Sequence, residues 1–124
     1  MHDSTVVVIE DNVDFATILQ TVLKLWGYTV QHYDTLAAGW DGLCHTAPTM
    51  LILDGQLPDG DGYVLYYHLR QQPQTRNLPV LLLSVSDDVY EQARAASVED
   101  PNLFVGLKPM PLEDIYAIVS RVAA

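Results

Sequence analysis

Positive charge is scarce in this chain. Six Lys and Arg residues stand against 16 Asp and Glu, a formal net charge of −10 over 124 residues. That balance repels polyphosphate, so no direct nucleic-acid binding is expected. Basic protein surfaces and divalent cations are the favoured partners. Cysteine is nearly missing: the single Cys44 excludes an intrachain disulfide, fits a reducing compartment and reads as a small apolar filler in a helix. No apolar run approaches the ~18 residues of a membrane span, and no basic-then-apolar leader opens the chain. No membrane contact and a cytoplasmic location are therefore expected. Repeats, linkers and low-complexity tracts are lacking too, and the length is that of one domain.

What the chain does contain is short apolar runs alternating with amphipathic stretches. The runs predict strands over 5–9, 28–32, 49–53, 80–83 and 103–107. Helices are predicted over 12–26, 35–45, 63–71, 87–96 and 111–122. Phe15, Ile18, Leu19, Val22 and Trp26 recur at helical spacing and predict the buried face of the first helix, with Gly27 as its C-cap. Asp34 is the expected N-cap of the second helix, with Leu36, Trp40 and Leu43 inward. Pro58 and the glycines of 55–62 predict a loop. Asp87 and Asp88 suit the positive end of the fourth helix, and Pro111 the first turn of the fifth. Strands separated by helices mean crossover connections. The expected architecture is α/β, one doubly wound three-layer α/β/α domain with a parallel sheet.

The polar residues with chemistry stand where these strands run out: Glu10 and Asp11 after the first, Asp54 after the third, Ser84 after the fourth, Lys108 after the fifth. In an open parallel sheet the carboxyl ends of the strands form the ligand crevice. Carboxylates for a hard divalent cation, a hydroxyl and a positive charge would therefore converge. That set suits binding a phosphoryl group and moving it onto an aspartate. Two unit charges ~4 Å apart at an effective dielectric of ~20 repel by ~4 kcal/mol, itself a reason to expect a cation among the carboxylates. His2, His32, His45 and His68 show no metal-ligand spacing.

Glu10-Asp11, the stretch from Asp54 through Gly55, Gln56, Leu57, Pro58 and Asp59 to Gly62, then Ser84 and Lys108-Pro109, resemble the receiver domain of two-component response regulators in order and spacing. The likeness covers essentially all of 1–124 and implies one receiver domain, no output domain in this chain, and a five-stranded sheet in the order 2-1-3-4-5. By that resemblance Asp54 is the phosphoacceptor. Asp11, Asp54 and the backbone carbonyl of Gln56 are the Mg²⁺ ligands, with Glu10 acting directly or through water and Mn²⁺ as a substitute. Lys108 would pair with a phosphoryl oxygen, and Ser84 would bond another once Asp54 is modified. Gln56 and Ser86 match positions that tune dephosphorylation. The implied function is a phosphorelay switch, not an enzyme acting on other substrates. It would be charged by a sensor histidine kinase or phosphotransfer protein and read by a downstream protein. The resemblance also admits a homodimer through the face of the fourth helix, fifth strand and fifth helix.

The chain departs from the family where an aromatic switch residue usually stands, three places before the lysine. Val105 is there, with Phe104 beside it and Gly106 after it. Strand side chains alternate faces, so either a bulge at Gly106 brings Phe104 into place or that aromatic is absent. The second reading is accordingly a receiver-like protein-interaction module with impaired or no phosphorylation-dependent switching. A third, a haloacid-dehalogenase-like phosphatase, wants an aspartate where Gln56 stands.

Overall fold

Fully apolar runs bounded by turn residues can be buried on both faces, which is what a central parallel sheet requires. The computed structural model describes residues 4–123, so His2 lies outside it. Strands β1 (Thr5–Ile9), β2 (Thr29–Tyr33), β3 (Met50–Asp54), β6 (Val80–Ser84) and β7 (Leu103–Leu107) form one sheet in the order β2-β1-β3-β6-β7. Every pairing in it is parallel. The remaining strands, β4 (Gln56–Leu57) and β5 (Gly60–Asp61), make a small antiparallel hairpin inside the segment expected to be loop. Without that hairpin the order is the expected 2-1-3-4-5.

Alternation of side chains divides the core into two layers. Val7, Ile9, Leu51, Leu53, Val80 and Leu82 face helices α2 (Leu36–His45), α3 (Gly62–Arg70) and α4 (Asp87–Ser97). Val6, Val8, Met50, Ile52, Leu81 and Leu83 face α1 (Val13–Leu25) and α5 (Leu112–Val122). Each such buried side chain contributes about 1.5–3 kcal/mol relative to exposure. No helix among the described residues is long and apolar enough to cross a membrane.

Two local expectations are corrected. The buried line of α1 runs through Ala16, Leu19 and Leu23, while Ile18 is 46% exposed. Each residue advances about 100° around a helix, so centring the stripe on small Ala16 carries Ile18 past its edge. The N-cap of α2 is Thr35, not Asp34: its Oγ1 accepts the Ala38 N–H at 3.1 Å. The next amides, of Leu36 and Ala37, donate to the Asp59 carboxylate at 2.8 and 3.0 Å. These bonds hold the Asp59 carboxyl below the usual aspartate range. The C-terminus of α1 fits its expectation. Gly27 has φ 99°, its N–H donates to the Lys24 carbonyl, and the Tyr28 N–H reaches the Leu23 carbonyl. This is a Schellman closure, which needs a left-handed residue.

At the amino ends of the strands a second polar cluster joins α3 to the loop before β7. Arg70 Nε donates to Asp100 Oδ2 at 2.7 Å, and the Tyr66 hydroxyl donates to the same oxygen at 2.5 Å. The two Arg70 Nη groups donate to the carbonyls of Thr75 and Asn102. Burial pushes the Asp100 carboxyl up, but Tyr66, Arg70 and the Asn102 N–H outweigh it and leave it below its ordinary value. Burial, then the Asp100 contact, raises the Tyr66 hydroxyl to about 12.

Candidate functional site

Each strand delivers its terminal residue to the same end of the sheet. Beyond Ile9, the Glu10 N–H donates to the Tyr33 carbonyl at 2.9 Å, and the Glu10 carbonyl meets His32 Nε2 at 2.8 Å. These contacts turn the Glu10 side chain, 2% exposed, into the sheet end. Asp54 closes β3 and is 6% exposed. Lys108 follows β7, its N–H bonded to the Ser84 carbonyl at 2.9 Å, and its peptide bond to Pro109 is cis.

The side chains meet as charges. Lys108 Nζ donates to Glu10 Oε1 at 2.5 Å and lies 3.3 Å from Asp54 Oδ1. Glu10 Oε2 accepts the Asn12 N–H at 3.1 Å, and Asp54 Oδ1 accepts the Gln56 N–H at 3.2 Å. Glu10, exposed Asp11 and Asp54 each offer a carboxylate oxygen, all within 4.8 Å of one another. One ammonium does not balance three carboxylates. Burial, then the hydrogen bond and charge of Glu10, push the Asp54 carboxyl up to about 7, against the downward pull of Gln56 and Lys108. Two buried carboxyl groups side by side, with a third acid at the open side, fit a hard divalent cation.

The hydroxyls take quieter positions. Ser84 is wholly buried, packs against Gly55, and its Oγ accepts the Ser86 N–H at 3.0 Å. Ser86 is the N-cap of α4, its Oγ accepting the Val89 N–H at 3.4 Å. Gln56 is exposed on β4. No bulge interrupts β7: Leu81, Leu82 and Leu83 pair in step with Phe104, Val105 and Gly106. Phe104 therefore lies in the layer of α1 and α5, with Arg121 over its ring at 5.6 Å, while Val105 lies in the layer of α4. Of the two alternatives, the one without an aromatic on the α4 side is found.

Sequence reading missed two residues that shape this site. Asn12, expected only to start α1, also supports Glu10 through its amide. Gly62 opens α3 directly under Asp54, where a Cβ would lie 2.1 Å from the Asp54 carbonyl oxygen. The Gly62 N–H also bonds the Gly55 carbonyl at 2.9 Å. The clash is with backbone, which cannot step aside as a side-chain tip can. Gly62→Ala is therefore expected to cost about 1–3 kcal/mol, read from urea denaturation as a lower midpoint with unchanged slope.

The family described as response regulator receiver domain matches residues 6–120. The phosphate regulon transcriptional regulatory protein PhoB of Rhizobium meliloti is 30% identical over 120 residues. That match takes in 94% of this chain but 51% of PhoB, so the chain spans about half the length of that relative. A putative response regulator from Chloroflexus aurantiacus superposes with a TM-score of 0.82 at 29% identity, covering 98% of both chains. The receiver domain of sensor histidine kinase PA1611 from Pseudomonas aeruginosa, with a magnesium ion coordinated in its active site cleft, has a TM-score of 0.79. It is 20% identical, with 97% of each chain covered, and speaks for the fold alone. Apolar strands in this order, with acids at the ends of the first and third and a lysine after the last, agree with the family match over nearly the whole length: the chain belongs to the response regulator receiver domain family.

Proposed function

We propose that the chain is a phosphoacceptor switch of a two-component phosphorelay, one receiver domain over 1–124, with Asp54 as acceptor. The observation that carries this is the Lys108 ammonium placed between Glu10 and Asp54 at the open end of the sheet. Asp11, Asp54 and the Gln56 backbone carbonyl would hold Mg²⁺, or Mn²⁺ in its place, with Glu10 behind them. The cation supplies the positive charge that lets one anion approach another. An Asp54 carboxylate oxygen attacks phosphorus. The P–N bond to a donor phosphohistidine breaks with its electron pair on the imidazole nitrogen, which takes up a proton. Lys108 neutralises a phosphoryl oxygen as a point charge, and Ser84 leaves the Ser86 amide to donate to another. The side chains of Gln56 and Ser86 flank the path of a hydrolytic water. The added charge, about −1.5 to −2, is the input, and the surface offered to a downstream protein or a second copy through α4, β7 and α5 is the output. A sensor kinase or phosphotransfer protein in the cytoplasm would supply the phosphoryl group.

Incubating the chain with Mg²⁺ and a small acyl phosphate tests this reading. Intact mass is expected to rise by one phosphoryl group, labile to hydroxylamine as an acyl phosphate must be and lost when Mg²⁺ is chelated beforehand. No adduct under saturating Mg²⁺ would refute it. Val105 in the α4 layer favours the second reading, an interaction module that does not switch. An adduct that leaves the amide NMR spectrum of α4, β7 and α5 unchanged would select that reading.

A further inference from the structure

By its spacing Phe15 reads as a core residue of α1, yet it touches the site. Its ring is half-buried, and Lys108 Nζ sits over it, 4.9 Å from the centroid. Four residues close a circuit around that contact. Lys108 donates to Glu10 Oε1, and Glu10 Oε2 accepts the Asn12 N–H. The Asn12 Oδ1 accepts the Phe15 N–H at 2.9 Å, and the Phe15 ring faces Lys108 again. The helix cap that starts α1 thus also sets the ring beside the ammonium.

We propose that Phe15 is a positioning residue for Lys108, its ring holding the ammonium in the inward pose between Glu10 and Asp54. The face of an aromatic ring attracts a cation through its quadrupole, an attraction that an aliphatic side chain of similar bulk does not supply. Two opposite consequences follow. A held ammonium competes with a divalent cation for Glu10 and Asp54, so the ring weakens metal binding. The same ammonium is already placed for an incoming phosphoryl group, so the ring speeds transfer. This inference rests on the phosphoacceptor reading of the site.

The test compares the full chain with Phe15→Leu and Phe15→Tyr, following Mg²⁺ affinity by calorimetric titration and the rate of phosphorylation by an acyl phosphate at saturating Mg²⁺. Phe15→Leu is expected to bind Mg²⁺ about two- to fivefold more tightly and to be phosphorylated about two- to fivefold more slowly. Phe15→Tyr, which keeps a ring, returns both towards wild type. In a Lys108→Met background Phe15→Leu leaves Mg²⁺ affinity unchanged, because the partner is gone. A merely structural role would weaken metal binding and slow transfer together, and that result overturns the proposal, as does an affinity change that persists without Lys108. If the wild type takes up a phosphoryl group and Phe15→Leu matches it in both measurements, the proposal fails and the phosphoacceptor reading stands. If the wild type takes up none, both fail.

Discussion

Asp54→Ala is expected to take up no phosphoryl group from an acyl phosphate under conditions in which the wild type takes up one. Glu10 is committed to Lys108 and to the Asn12 amide, and Asp11 is exposed at the rim, so neither replaces a carboxylate at the end of β3. Incorporation that survives the substitution, read by intact mass, would place the acceptor elsewhere. The same residue governs stability without metal. The folded-state value of Asp54 is about 7, against 3.8 for the free side chain. The folded protein therefore keeps a proton that the unfolded chain releases between those values, and stability falls as pH rises across that window. Asp54→Asn removes the penalty. With chelator present, the variant is expected to equal wild type near pH 4. Near pH 8 it is expected to exceed wild type by about 1–3 kcal/mol, a figure discounted for the water that reaches the site. Added Mg²⁺ near pH 8 should raise the melting temperature of the wild type and leave Asp54→Asn nearly unmoved. A wild type that is more stable at pH 8 than at pH 5 in chelator would contradict the argument.

Arg70→Ala carries the largest expected loss of stability away from the site. The Arg70 and Asp100 side chains are 13% and 19% exposed, and Arg70 also bonds two loop carbonyls and lies over the Tyr66 ring. Deleting the guanidinium leaves the Asp100 charge and two carbonyls with lost partners at once. Breaking a largely buried pair in this way costs about 3 kcal/mol, or roughly 10 °C in melting temperature for a domain of this size. Phosphorylation of Asp54 should be unaffected, because the cluster lies at the opposite end of the strands. A shift of under about 2 °C would mean that water replaces the guanidinium without loss.

The strands were legible because each is a short, fully apolar run, and burial on both faces demands that pattern. The site was legible because strand ends are positions in sequence as well as in space: Glu10, Asp11, Asp54 and Lys108 could be placed together before any coordinate. Contacts between segments were not legible. Asp59 accepts the first amides of a helix that begins 23 residues before it, beside the Thr35 cap, and nothing near Asp34 in the sequence signals that contact. Arg70 and Asp100 are 30 residues apart, each in a stretch that reads as an ordinary helix end or loop. The α1 stripe is hard to place because counting bulky residues passes over Ala16, whose small side chain shares the buried line with Leu19 and Leu23. Phe15 was visible as an aromatic, but its neighbour Lys108 lies at the far end of the chain.

The hairpin after Asp54 holds two helix starts as well as its own turn. Asp59 grips the first amides of α2, and Asp61 at the other end of the same turn accepts the Tyr63 N–H in the first turn of α3. Two helix starts are thus anchored on one hairpin, which Gly62 ties to the end of the strand that carries Asp54. Both helix starts therefore depend on one short turn, and a substitution that reshapes it is expected to unsettle α2 and α3 together.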